Sequence, residues 1–117
     1  FALGIVICIA AAIITVRAML VNSYLESTAR IQKDRGQRVC EQGPYSIIRH
    51  PTYSCLLLNC FGLYLIFPSL GVALCSLAIA VITVIRTALE DSMLKRGLEG
   101  YKEYAEKVRY RIIPFIW

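Results

Sequence analysis

Two polar segments on either side of a long uncharged stretch carry the residue types that can do chemistry in this chain. The first, residues 43–53, contains an Arg-His-Pro-x-Tyr sequence, and the second, residues 86–91, contains an arginine and a glutamate four positions apart. Residues 54–85 between them contain no Asp, Glu, Lys or Arg. If this stretch is a membrane hairpin, both polar segments return to one side of the bilayer and build one site.

Arg86 and Glu90 share one face of a helix because they lie four positions apart. That spacing fits a plain salt bridge at a membrane exit as well as it fits a binding site. Asp91 is expected to point elsewhere, so a carboxylate pair for two metal ions fits poorly. His50 is the only histidine and has no ligand partners at zinc-site spacing; a helix-cap position and a ligand contact both explain it. We therefore predict no metal.

The composition indicates an integral membrane protein. The chain is 57% hydrophobic, whereas soluble domains are about 45–50% apolar. Residues 1–21 are predicted to form a transmembrane helix in which Arg17 snorkels to the headgroups, or else lines a site. The chain is apolar from Phe1 and does not begin with Met, so we expect residues to precede it. A signal peptide fits residues 1–21 poorly because the basic n-region is missing.

The uncharged stretch is longer than one membrane span of about 20 residues. Two apolar helices, residues 52–67 and 70–86, are predicted, with a break at Pro68 and Gly71. Together they form a transmembrane helical hairpin over residues 52–86. The second helix is expected to continue to about Lys95.

The basic residues predict the orientation of the chain. The net charge is +5, and the basic residues concentrate in residues 22–51 and 87–117, so both segments are predicted to face the cytoplasm. Residues 99–108 read as an amphipathic helix, and the apolar tail, residues 110–117, is expected to pack back on the core or rest at the interface. The fold class is therefore all-α: a multi-pass membrane protein with a helical hairpin and a C-terminal cytoplasmic amphipathic helix. The apolar content argues against nucleic-acid binding.

The ordered set of motifs closely resembles the isoprenylcysteine carboxyl methyltransferase family of integral membrane proteins. The resemblance covers residues 22–117. It is carried by Arg49-His50-Pro51-x-Tyr53, the uncharged hairpin and Arg86-x-x-x-Glu90-Asp91, with residues 30–39, Gly43-Pro44-Tyr45 and residues 100–114 similar to the bacterial branch. One departure is visible, because Asp91 stands where the family usually has a second glutamate; we expect it to have little effect on activity.

The resemblance implies one membrane methyltransferase domain over residues 1–117, with S-adenosylmethionine as methyl donor bound in the cytoplasmic loop of residues 22–51 and beside the hairpin. Arg86 takes the family's role of binding the substrate carboxylate and is the predicted catalytic residue. The implied cofactor-binding residues are Gln32, Gln37, Arg38, Val39, Cys40, Tyr45, His50, Pro51, Thr52, Tyr53 and Glu90.

The function implied is carboxyl O-methylation of a membrane-embedded, isoprenylcysteine-like acceptor, with a lipid-anchored or lipid-like partner in the bilayer. A carboxylate is ionised near pH 7 and needs no general base. Phospholipid amine N-methylation is an alternative, and it needs a base such as Glu90 or His50. An NADPH-dependent enzyme like the sterol reductases and a non-catalytic membrane scaffold are further alternatives.

Overall fold

The computed structural model describes residues 1–24, 31, 32, 34 and 36–117, and in these residues it contains helices and no strand. The prediction of an all-α fold is therefore confirmed for the described part of the chain. Loop residues on which predictions rest, such as Arg30, Lys33 and Arg35, lie outside the described residues. The helices are α1 (Ala2–Val21), a 3₁₀ turn (Gly43–Ser46), α2 (Pro51–Ile66), α3 (Leu70–Gly97) and α4 (Tyr101–Lys107).

Helices α1 and α2 pack closely and run in opposite directions. Gly4 of α1 meets Gly62 of α2 so tightly that a Cβ on Gly4 would lie 2.6 Å from the Gly62 carbonyl oxygen. A Cβ on Gly62 would likewise lie 2.6 Å from Cys8 Sγ. Small residues allow such close contact between apolar helices. The pairing brings the end of α1 next to the start of α2, which is where the polar residues gather.

The hairpin turns at residues 67–69, where Pro68 lies between the two helices as the sequence predicts. Gly71, the other residue at which a break was predicted, is instead the second residue of α3. Ser69 caps α3 by accepting a hydrogen bond from the Val72 N–H at 3.3 Å, and Ser76 Oγ donates to the Cys60 carbonyl across the hairpin at 3.4 Å. Helix α3 runs without a break to Gly97, past the predicted end near Lys95. Residues 86–91 of α3 therefore lie near the end of α1 and the start of α2. We call this region, where the polar residues gather, the polar end.

Helices α1 and α3 are long and apolar enough to cross a membrane. Helix α2 has 16 residues, about 24 Å at 1.5 Å per residue, so it is apolar but shorter. Large apolar side chains on α1 and α3 are exposed, among them Leu20 at 80% and Leu77 at 62%. Such a surface is expected to face lipid.

The compact core lies at the polar end of the molecule. Ala18, Tyr45, Leu94, Tyr101 and Tyr104 form its buried cluster. The side chains that pack against one another in this buried cluster therefore lie at the polar end.

The C-terminal tail packs back on the start of α2, one of the two placements that its apolar sequence predicts. The Arg49 N–H donates to the Tyr110 carbonyl and the His50 N–H to the Arg111 carbonyl, each at 2.9 Å. Ser54 Oγ donates to the Ile112 carbonyl. These bonds close the polar end around the Arg-His-Pro segment.

Candidate active site

A polar cavity of about 240 Å³ lies at this end, bounded by the loop before the 3₁₀ turn, the start of α2, the last turns of α3, and α4. It brings together every predicted site residue except Pro51. The predicted residues that line it are Gln32, Gln37, Arg38, Val39, Cys40, Tyr45, His50, Thr52, Tyr53, Arg86 and Glu90. Pro51 occupies the first position of α2, where its missing N–H costs nothing, and it borders a different groove.

Glu90 and Arg86 form the boundary between this cavity and the apolar outer face of α3. The Tyr53 hydroxyl donates a hydrogen bond to Glu90 Oε2. The Arg86 guanidinium carbon lies 5.7 Å from the centre of the Tyr53 ring. Both Arg86 and Glu90 also line a shallow apolar groove of about 370 Å³, whose other walls are Ile82, Ile85, Leu89 and Met93. The cationic Arg86 and the anionic Glu90 thus each line both the polar cavity and the apolar groove.

Asp91, the next residue, points away from Glu90 into a cluster of cations. Its carboxylate is only 1% exposed and lies 3.1 Å from Arg49 Nη2 and 3.1 Å from Arg111 Nε. Lys95 Nζ lies at 3.3 Å. One carboxylate therefore joins the start of α2, α3 and the C-terminal tail. The spacing correctly predicts that Asp91 points elsewhere, but it gives no hint of this role.

His50 is held in place by the same carboxylate. Its Nε2 lies 3.3 Å from Asp91 Oδ1, and an ionised carboxylate only accepts hydrogen bonds, so Nε2 carries a proton. The imidazole also stacks on the Tyr53 ring, with the centroids 5.8 Å apart. His50 is the N-cap residue of α2, as one of its two interpretations predicts, but its side chain makes no cap hydrogen bond. Its ring contacts Asp91 and Tyr53 instead.

Tyr101 completes this arrangement from α4. Its hydroxyl donates to Asp91 Oδ1 at 2.8 Å. Burial, together with the neighbouring Asp91 carboxylate, raises the pKa of Tyr101 above its ordinary value. The phenol therefore remains protonated and remains a donor.

Aromatic side chains from separate parts of the chain form the floor of the cavity. The Tyr104 hydroxyl donates to the Tyr45 carbonyl at 2.6 Å, and Asn22 Nδ2 donates to the Tyr45 hydroxyl at 3.1 Å. Burial raises the pKa of both Tyr45 and Tyr104. Sequence reasoning missed seven lining residues, Asn22, Tyr24, Arg49, Leu94, Leu98, Tyr101 and Tyr104. Arg49 belongs to the Arg-His-Pro-x-Tyr motif, and Tyr101 and Tyr104 share one face of the predicted amphipathic helix, so these three carried a sequence signal.

Gln32 and Gln37 hold the loop that covers the cavity. The Gln32 N–H donates to Gln37 Oε1 at 2.8 Å, and the Gln37 N–H donates to the Gln32 carbonyl at 3.1 Å. The Gln32 side-chain amide donates to the Tyr24 carbonyl, while Cys40 Sγ donates to the Val21 carbonyl at 3.3 Å. The loop is therefore tied both to itself and to the end of α1.

The comparison with known families fits these observations. Residues 1–100 match the model of the phospholipid methyltransferase family. The chain belongs to this family. The family is part of the group of isoprenylcysteine carboxyl methyltransferase-type membrane methyltransferases, so the resemblance seen in the sequence is confirmed at the level of the family. Methyl transfer at a membrane is the activity that this family membership suggests.

One curated relative is similar over part of the chain. It is the cobalt-zinc-cadmium resistance protein CzcN of Cupriavidus metallidurans, 44% identical over 68 residues. The match covers 56% of this chain and 31% of the relative. The chain thus spans less than a third of that protein. Within residues 1–24, 31, 32, 34 and 36–117, no group of three His, Cys, Asp or Glu side chains could hold a metal ion.

Proposed function

We propose that this chain uses S-adenosylmethionine to methylate the carboxylate of a lipid-borne, isoprenylcysteine-like acceptor. The observation that supports this most directly is the shared position of Arg86 and Glu90. Both line the polar cavity and the apolar groove on the outer face of α3. A polar donor and a lipid-borne acceptor would therefore meet at these two side chains.

The cavity residues fit the chemical groups of the proposed donor. S-adenosylmethionine is a cation-bearing molecule with a ribose and an adenine, and when bound it would supply an electrophilic methyl carbon. Glu90 is the acidic side chain that lines the cavity, and we assign it the ammonium group. Tyr45, His50 and Tyr53 offer aromatic faces and hydroxyls for the ribose and adenine, with Thr52 beside them.

The loop residues divide into two roles in this proposal. Gln37, Arg38, Val39 and Cys40 line the cavity and would contact the donor directly or through the backbone. Gln32 donates its side-chain amide to the Tyr24 carbonyl, so we assign it to shaping the loop. Pro51 sets the start of α2 and thereby the position of His50.

Arg86 is assigned to the acceptor. A guanidinium holds a carboxylate through two parallel N–H···O bonds, which a lysine does not reproduce. The acceptor carboxylate is ionised near pH 7, so the residues here position it and exclude water rather than remove a proton. The apolar groove beside Arg86 would receive the lipid tail of the acceptor.

Amine N-methylation of a phospholipid headgroup is the second candidate, and one observation favours it. Glu90 accepts a hydrogen bond from Tyr53 at the boundary between the two compartments. A carboxylate at that place could also take the proton that an ammonium acceptor must lose. The two candidates thus differ in whether Glu90 or Arg86 faces the acceptor.

One experiment separates these reactions. The purified protein is incubated with methyl-labelled S-adenosylmethionine and total membrane lipid, and the labelled product is then treated with base. Release of labelled methanol identifies a methyl ester and supports the carboxylate acceptor. Base-stable label on lipid identifies the amine reaction, whereas absence of label transfer together with NADPH-dependent reduction would reject both methyltransferases.

We also propose that the whole chain forms one domain, with both polar segments on the cytoplasmic side. The bonds that join residues 49–54 to the tail support this arrangement. Single cysteines introduced at Ser46 and Ser92, both exposed, should react with a membrane-impermeant thiol reagent from the same face of oriented vesicles. Labelling from opposite faces would contradict the hairpin.

A further inference from the structure

A third depression lies on the far side of the start of α2 from the polar cavity. This α1–α2 groove has a volume of about 790 Å³ and lies between α1, the 3₁₀ turn, α2 and the C-terminal tail. Neither the donor nor the acceptor assignment above uses it. Its lining is almost wholly apolar, with Leu58 and Phe61 exposed along it.

The groove has a polar mouth and an apolar interior. Arg17 and Gly43 lie at the end where the polar segments gather, while Phe61 lies ten positions into α2. At 1.5 Å per residue, that is about 15 Å along the helix axis from Pro51. The groove therefore runs from the level of the polar end into the apolar part of the molecule, in the direction that a lipid chain takes in a bilayer.

Arg17 is the only charged residue that lines the groove in the part of the chain that the structure describes. It lies one turn before the end of α1 at Val21. The described residues include neither a hydrogen-bond acceptor nor an acidic partner for its guanidinium. A guanidinium at the edge of hydrocarbon is costly unless it reaches water or an anion.

We propose that the α1–α2 groove binds an anionic phospholipid. The lipid phosphate pairs with the Arg17 guanidinium, and an acyl chain lies along α2 against Leu58 and Phe61. Phosphate suits this position because the planar guanidinium binds phosphate oxygens in a bidentate manner. Charge complementarity selects an anionic lipid over a zwitterionic one, because the described residues that line the groove include a cation and no Asp or Glu.

The bound lipid would also support the polar end. Ile112, Ile113 and Pro114 of the tail form one wall of the groove, and the neighbouring Arg111 carbonyl accepts the His50 N–H. A lipid that fills the groove would therefore hold the tail against α2. We expect the protein to be more stable to heat when the anionic lipid is present.

The test measures lipid binding and does not depend on methyl transfer. The protein is placed in phosphatidylcholine nanodiscs, phosphatidylglycerol is titrated in, and the bound lipid is quantified by native mass spectrometry with thermal unfolding as a second readout. Loss of one charged hydrogen bond corresponds to about 1.5–3 kcal/mol, so Arg17→Gln should weaken phosphatidylglycerol binding about tenfold or more. Arg109→Gln removes the same charge from an exposed site outside the groove and should leave binding unchanged.

A second variant tests the proposal if Arg17→Gln does not fold. Leu58→Trp narrows the groove while Arg17 remains, and it should also lose the lipid. Arg17→Lys should retain part of the affinity. Equal binding of phosphatidylcholine and phosphatidylglycerol, unchanged binding in Arg17→Gln, or displacement of the lipid by a prenylcysteine acceptor analogue would overturn the proposal.

Discussion

Glu90 and Asp91 are adjacent acidic residues on one helix, and their surroundings differ sharply. Glu90 is half-buried, lines two compartments and accepts a hydrogen bond from Tyr53. Asp91 is fully buried and has basic partners just before α2, on α3 and in the tail. Consecutive residues on a helix point about 100° apart, since a turn takes 3.6 residues. The Glu90 carboxylate is therefore accessible to a ligand, whereas the Asp91 carboxylate is bound by side chains of the protein.

The difference shows what holds the polar end in position. The apolar helices expose most of their surface, whereas the buried cluster lies at the polar end. Asp91 adds charge-assisted hydrogen bonds there, which are about twice as strong as neutral ones. These bonds fix His50 beside the cavity that Glu90 lines.

Asp91→Ala should have the largest effect of any change in this comparison. It leaves Arg49, His50 and Arg111 buried or half-buried without their anion. Breaking a buried ion pair by removing one partner typically costs about 3–5 kcal/mol. Thermal unfolding in detergent should show a large drop in melting temperature. Glu99→Ala removes an exposed acid and serves as the control; equal stability of the two variants would show that the Asp91 cluster does not hold the polar end.

Glu90→Gln should weaken S-adenosylmethionine binding and leave stability almost unchanged. The variant keeps the shape of the side chain and its contact with Tyr53 but removes the charge assigned to the donor ammonium. A hydrogen bond to a charged group contributes about 1.5–3 kcal/mol, so the dissociation constant should rise about ten- to a hundredfold. Calorimetry measures it, with Glu103→Gln as the matched exposed control. Unchanged affinity would remove Glu90 from the donor site.

Arg86→Lys should lower acceptor turnover while donor affinity is retained. Lysine keeps the charge but cannot form the two parallel bonds to a carboxylate. Turnover with a prenylcysteine acceptor is expected to fall about tenfold or more, which corresponds to the loss of about one charged hydrogen bond. Arg96→Lys tests the same exchange at an exposed position of α3. If both variants methylate the acceptor at the wild-type rate, Arg86 does not bind it.

Lys95→Gln should have the smallest effect. Lys95 lies 3.3 Å from Asp91, but its side chain is 36% exposed. Exposed pairs of this kind contribute about 0–1 kcal/mol, and Asp91 retains its other partners. The melting temperature should therefore change far less than in Asp91→Ala. A comparable drop would mean that Lys95, rather than the buried cations, is the main partner of Asp91.

The sequence predicted the helices well, and it predicted that the residues lining the cavity lie close together. Both predictions depend on strong local signals. The uncharged stretch and Pro68 indicated a hairpin, and the spacing of Arg86 and Glu90 placed them on one face. The end of α3 was predicted at about Lys95, and the helix ends two residues later, at Gly97. Pro51 was expected at the donor, yet it faces the α1–α2 groove because the first turn of a helix presents successive residues to different sides.

What the sequence determined by itself is which segments are apolar, where they break and which polar residues flank them, since these follow from the residue types and their spacing. The tertiary structure alone decided the partners. The contact of Asp91 with Arg49 and Arg111 joins residues 42 and 20 positions apart, and the hydrogen bond from the Tyr104 hydroxyl to the Tyr45 carbonyl joins residues 59 positions apart. Such contacts arise because buried charges and hydroxyls must find partners somewhere in the chain, and only the packed structure specifies where.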